Sequence, residues 1–447
     1  MLEQISRRQL VRNLGGVAVA GLAGATMLGR PARAGVGWGA GPNSGLPFWH
    51  GGYSDLDDMV ALLPSGRGLD LVGEFEGEGT YLDVATKCVT GWPKKRWYTN
   101  FLKTGKTSAF QWSSNPFCSG TSMTVPKSWP SSAAAVTANT HLHCSVPPTY
   151  TGSETATQRA AKQRRVWQIA ADGWLDPVWR QKMIIFKRDF FIKYNLKSIR
   201  IVLRACHELN TATTWGKRDY RRAFGMMELT TVGDYQIVQE AMRRYFEVFR
   251  DVFGNVQSSI PNDYAYTDSQ LWPYWNTVRR HNGVVDVRLT CPENAKLIGP
   301  DNYNQYPAAL TEAQFATFMA ERDKKGWPVG LIPWLEWAKS VNKGFALGEW
   351  GLMSKKMNPD GTRPASQGWD NPVFIKGTLD FCMANAPDIA FISYFNRDNT
   401  AAAELPAHLV KSWSGIDDEF AGCGRTPPGD NNRCGARAYR QWMAQNS

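Results

Sequence analysis

From Gly45 onward, short β-branched or apolar runs alternate with stretches whose apolar residues recur at helical spacing. Strand and helix in turn favour a parallel sheet covered by helices, because each parallel connection must cross back over the sheet. Eight runs read as strands: 46–51, 69–75, 121–125, 198–205, 255–260, 296–299, 344–347 and 388–395. Ser54-Asp55-Leu56-Asp57-Asp58-Met59 reads as a capped helix start, and 160–194, 232–253, 310–325 and 330–342 read as helices. In the first of these long helices Trp167, Ala170, Trp174, Trp179, Met183 and Phe186 recur at helical spacing; in the second, Val238, Met242, Phe246 and Phe249 do. No internal repeat and no low-complexity linker marks off a second domain. The fold expected is α/β, a single (β/α)8 TIM barrel with long loop insertions. The main insertion is the Trp-, Pro-, Ser- and Gly-rich region at about 86–165, and a C-terminal extension covers about 400–447.

The first 34 residues read as something other than fold. Ser6-Arg7-Arg8-Gln9-Leu10 is a twin-arginine pattern, a Gly/Ala-rich weakly apolar stretch runs from Leu14 to Leu28, and Ala32-Arg33-Ala34 offers a small-residue cleavage site. The stretch is short and glycine-laden for a spanning helix. The expectation is a twin-arginine signal peptide over 1–34, a mature chain from near Gly35, and a periplasmic or secreted protein without stable membrane insertion. Residues 1–34 carry five Arg and one Glu, so their removal strips more than a third of the formal charge of +11. Lys94-Lys95-Arg96 and the group Lys162, Arg164 and Arg165 are short basic clusters that read as solvated faces, and no nucleic-acid partner is expected.

The eight cysteines make disulfides plausible in an exported chain. Cys423 and Cys434 flank a Gly/Pro/Asn-rich loop and are the first pair to consider; Cys88, Cys118 and Cys144 could supply another, while Cys206 reads as a core thiol. His141-Leu142-His143-Cys144 lacks convincing metal spacing, so neither a metal nor any other cofactor is expected. Many of the 19 tryptophans sit in polar or Gly/Pro-rich surroundings, which suits stacking on sugar rings as well as loop packing.

Two glutamates stand just past strand-like runs. Glu208 follows Ile199-Arg200-Ile201-Val202-Leu203-Arg204-Ala205, and Glu349 ends Phe345-Ala346-Leu347-Gly348. A barrel presents its chemistry at the C-terminal ends of its strands, so two such carboxylates could face each other over one cleft. That is the arrangement a glycosidase needs.

Around the first glutamate, Arg204-x-x-His207-Glu208-x-Asn210 with Trp215 behind it resembles the acid/base signature of glycoside hydrolase family 26. Leu347-Gly348-Glu349-Trp350-Gly351 is similar to that family's nucleophile strand, and Ile169–Asp176 to the segment before its fourth strand. The resemblance spans roughly 45–400 in order of elements and is specific at the two glutamate motifs. It implies a retaining mechanism in which Glu208 is the acid/base and Glu349 the nucleophile. It also implies a substrate-binding set of His207, Arg204, Asn210, Trp215, Asp301, Tyr303 and Tyr394. Within that set Tyr303 donates to the nucleophile, Asp301 orients it, and Tyr394 stands where clan relatives often place a tryptophan under the reacting sugar. Arg204, if it points into the barrel, donates to Glu349 and keeps it charged.

The function expected is an exported retaining endo-β-glycanase, monomeric, acting on a polysaccharide or oligosaccharide. Mannan comes first, and β-glucan or xylan next. The sequence after Asn210, Thr211-Ala212-Thr213-Thr214-Trp215, departs from the short Gly-Trp step of the family's mannanases. A non-catalytic carbohydrate-binding barrel, or a transglycosylase or trimming enzyme tied to exopolysaccharide synthesis, would use the same residues.

Overall fold

In strand β4 (Arg200–Ala205), Ile201, Leu203 and Ala205 turn to the helices while Val202 and Arg204 turn the other way, and every position but the first is buried. A strand buried on both faces belongs in a parallel sheet wrapped by helices. The computed structural model describes residues 36–54, 56–75, 101–102, 104–114, 155–205, 229–256, 260–279, 285–304, 309, 311–355, 371–396, 404–406 and 434–447. The strands β1 (Trp49–Ser54), β2 (Leu71–Phe75), β3 (Ala109–Ser114), β4, β5 (Leu271–Val278), β6 (Leu297–Tyr303), β7 (Gly344–Gly351) and β9 (Ile389–Asn396) pair in that order and close into a barrel. Every pairing around the ring is parallel, including β9 back to β1. The remaining strands, β8 (Met353–Lys355) and β10 (Glu404–Pro406), make a small antiparallel pair. The expected (β/α)8 barrel is the observed one.

Several boundaries differ from expectation. The barrel's third strand is β3, with polar Gln111, Ser113 and Ser114, whereas 121–125 lies outside the described residues. The fifth strand is β5 at 271–278; Asn255 instead caps the C-terminus of helix α4 (Val232–Gly254). Pro273 disguises β5, yet its carbonyl stays in the ladder and accepts the Lys296 amide at 2.9 Å. β1 is shifted three residues towards the C-terminus and runs on through Gly51-Gly52, which looks like loop; a Cβ on Gly51 would lie 2.3 Å from the Leu71 carbonyl. β6 continues through Pro300-Asp301-Asn302, which reads as a turn in sequence.

The long helix expected at 160–194 is two: α2 (Ala156–Ala171) and α3 (Asp176–Phe186), followed by a π-helical turn, Lys187–Ile192. Gly173 makes the break at φ +84°, with Arg244 against its α-carbon. Helices α1 (Leu56–Val60), α5 (Glu312–Ala320), α6 (Leu331–Ser340), α7 (Pro372–Ala384) and α8 (Cys434–Asn446) contribute to the outer layer. Thr231 and Asp234 form a capping box on α4, as do Thr155 with Gln158 and Thr311 with Gln314 on their helices. β3 and the start of α2 fall within 86–165, where a third strand and a helix start were expected, and α8 falls within 400–447. Tyr439 of α8 meets His50 Nε2 on β1 at 3.0 Å, and Trp442 donates to Asp380 of α7 at 2.7 Å. Among the described residues no helix is long and apolar enough to cross a membrane.

The barrel is filled in layers. At the N-terminal end Trp38 packs on Trp49, Trp272 and Phe391, with the Arg200 guanidinium 4.3 Å from the Trp49 ring. Leu71, Ala109, Val202, Tyr274, Leu297 and Ala346 belong to the same interior cluster. Towards the C-terminal end the inward positions turn polar, and there the candidate site lies.

Candidate active site

Four expected residues meet at the C-terminal end of the barrel. Arg204, two residues beyond Val202 on the lumen face of β4, is fully buried. Its Nη1 donates to Glu349 Oε1, and its Nη2 to Asp301 Oδ2. The Tyr303 hydroxyl donates to Glu349 Oε2 at 2.8 Å, so Arg204 and Tyr303 hold one oxygen each of the Glu349 carboxylate. Glu349 and Tyr303 are both buried, and each stands at the C-terminal end of its strand, β7 and β6. Asp301 and Tyr303 are two apart on β6 and both face inward, as the period of a strand requires.

A bulge sets the orientation of Glu349. Leu347 pairs with Ile392 and Trp350 with Tyr394, so β7 spends three residues where β9 spends two. The extra residue lets Leu347 and Trp350 both face the helices while Glu349 faces Arg204. Gly348 is needed for a separate reason: a Cβ there would sit 2.5 Å from the Tyr274 ring, whose hydroxyl accepts the Gly348 amide at 3.0 Å. Gln111 Nε2 donates to the Gly348 carbonyl at 3.3 Å.

The charges are arranged as one cation between two carboxylates. Burial opposes the Arg204 charge, but Asp301 and Glu349 outweigh it and hold the guanidinium well above its ordinary value. Tyr53 on β1 is pushed up by burial, partly offset by Arg204, so its phenol stays protonated against Ser113 Oγ at 2.8 Å. Tyr53, Tyr303 and Phe395 form a separate aromatic cluster at this end.

Tyr394 is a correction. It is fully buried on the outer face of β9, T-shaped against Trp350 at 4.9 Å, with its hydroxyl accepting the Leu352 amide at 3.3 Å. It cannot underlie a sugar there; the neighbouring Phe395 is the residue of β9 that reaches the lumen rim, beside Tyr53 at 5.9 Å. His207, Glu208, Asn210 and Trp215 lie outside the described residues, as do Cys88, Cys118, Cys144, Cys206, Cys423 and the His141–Cys144 cluster.

Sequence reading passed over Asn276, Tyr274, Tyr53, Gln111 and Phe395. Asn276 sits on the unrecognised β5. Its Oδ1 accepts from Arg204 Nε at 3.0 Å and Nη2 at 2.8 Å, and its Nδ2 donates to Asp301 Oδ1 at 3.0 Å. Once β5 is known, the Tyr274-x-Asn276 alternation would mark both side chains as lumen-facing.

No protein-family model matches the chain, and comparison with curated proteins finds no relative. Among solved structures it is similar to the catalytic domain of a family 26 endo-β-1,4-mannanase from Bacillus sp. JAMB-750, at 12% identity and TM-score 0.47, over 89% of this chain and 85% of that one. It is also similar to a family 26 glycoside hydrolase from a Muricauda species, at 11% identity and TM-score 0.45, over 90% and 86% of the two chains. A third is xylanase B of Clostridium stercorarium F9, at 10% identity and TM-score 0.39, over 88% and 96%. Likeness at this level carries no functional conclusion, and the barrel stands on its own strand order.

What the described groups can do chemically follows from their geometry. A carboxylate at a strand end, given one charged and one neutral donor, is held in one orientation. Such a group acts as a nucleophile or as an electrostatic partner for a developing cation.

Proposed function

We propose that the protein is an exported retaining β-glycan hydrolase, with Glu349 as nucleophile and Glu208 as acid/base. The observation that carries this is the clamp on Glu349: Arg204 on one oxygen, Tyr303 on the other, at the C-terminal rim of the barrel. Glu208 follows Ala205, the last residue of β4, by three positions, and three residues span at most about 11 Å. Its backbone is therefore tethered to the strand that carries Arg204.

In the first step Glu349 attacks the anomeric carbon while Glu208 protonates the departing oxygen, giving a glycosyl-enzyme ester. In the second, Glu208 takes a proton from water, the water adds to the anomeric carbon, and Glu349 leaves as a carboxylate. Retention requires the two carboxyl groups about 5–5.5 Å apart. Arg204 and Tyr303 hold one oxygen each of Glu349 and so orient it for both attack and departure. The substrate read first is β-1,4-mannan, then β-glucan or xylan, and the twin-arginine leader would deliver the enzyme to the periplasm or beyond.

The test is a polysaccharide panel scored for released oligosaccharides, with Glu349→Ala assayed on aryl glycosides with and without azide. Retained anomeric configuration from the wild type, and azide rescue giving an inverted glycosyl azide in the variant, are expected. Sugar binding without turnover by the wild type would instead assign a carbohydrate-binding barrel. Transfer to sugar acceptors in preference to water would assign a transglycosylase.

A further inference from the structure

Asn276 is fully buried and contacts both Arg204 and Asp301, the carboxylate that shares Arg204 with Glu349. We propose that Asn276 is a positioning residue that holds Arg204 between Asp301 and Glu349 and thereby fixes the charged donor on Glu349. The proposal rests on reading Glu349 as the nucleophile.

A guanidinium only donates, so the amide oxygen of Asn276 must face Arg204 and its Nδ2 must face Asp301. That oxygen takes Nε and one Nη2 hydrogen, the inner edge of the guanidinium, which leaves Nη1 aimed at Glu349. The Nδ2 also donates to the Gly299 carbonyl at 3.0 Å and to Tyr274 Oη at 3.1 Å, which ties Asn276 to the backbone of β6 and to the ring packed against Gly348.

The residue type matters. A carboxylate at this position would accept from Arg204 equally well but would put a third negative charge beside one cation. Glu349 would then bind its proton more tightly. An apolar side chain would add no charge but would free the Arg204 edge. Only an uncharged group that accepts on one side and donates on the other satisfies both neighbours.

The experiment compares wild type, Asn276→Asp and Asn276→Ala. It measures kcat and KM, the pH dependence of kcat/KM on the best substrate of the panel, and the 13C carboxyl titration of Glu349, assigned by its absence in Glu349→Gln. Asn276→Asp should move the acid limb and the Glu349 titration upward by about one pH unit or more. Asn276→Ala should move both in the same direction by less, with kcat down roughly 10- to 100-fold and KM within about threefold. If either variant fails to fold, the other supplies the same readout. Folded variants whose acid limb and Glu349 titration coincide with the wild type overturn the proposal. A wild type that cleaves no β-glycan overturns the hydrolase reading instead, and the Glu349 titration alone then judges Asn276.

Discussion

Arg204 shows how much of this site depends on one buried cation. It serves two carboxylates at once, so its removal leaves both without their counter-charge in a buried setting. Arg204→Met should destabilise the fold by about 3–5 kcal/mol, measured by denaturant unfolding near neutral pH, because breaking a buried pair costs more than forming it gains. Tyr303→Phe is the milder change. A hydrogen bond to a charged group is worth about 1.5–3 kcal/mol, so kcat should fall roughly 10- to 150-fold. An unchanged kcat in the folded variant would separate Tyr303 from the work of Glu349. At this scale the sequence was readable in part. Arg204, Asp301, Tyr303 and Glu349 come together as expected. Tyr394 does not, because identifying a residue near a strand end leaves open which of the two faces it takes.

Among the elements, helix α8 closes the barrel over β1 through His50 and Tyr439. Burial lowers the His50 pKa from 6.5 to about 3. Between those values the unfolded chain binds a proton that the folded chain refuses, so stability rises with pH across that window and is lost as pH falls from 6.5 towards 3. The loss should be about 1.4 kcal/mol per pH unit. His50→Gln should flatten the acid side of a plot of urea midpoint against pH, and an unchanged slope would contradict the assignment. β5 and β3 show why some elements escaped notice. Pro273 breaks the expected pattern of a central strand, and the inward positions of β3 are Gln111 and Ser113, polar because they line the active end rather than the floor. Helical periodicity is easier to read, yet the break at Gly173 is visible only once Arg244 is seen to occupy the space beside it.

For the molecule as a whole, the barrel separates stability from chemistry by depth. Trp38, Trp49, Trp272 and Arg200 seal the N-terminal end, while Arg204 and Glu349 stand towards the other. Trp38→Ala should therefore lower the unfolding free energy by about 3–5 kcal/mol while leaving kcat on the preferred substrate within about twofold at a temperature where the variant is folded. A large fall in kcat without loss of stability would show that the two ends are coupled. What could be read in one dimension was the alternation of strand and helix, the identity of the ionisable side chains, and the strand end that carries Glu349, because each depends on neighbours within a few residues. Which side chains share the lumen came from the ring of parallel pairings and the bulge at Leu347–Trp350. A one-residue change of register turns every following side chain to the opposite face, and that register is set by strands far away in sequence.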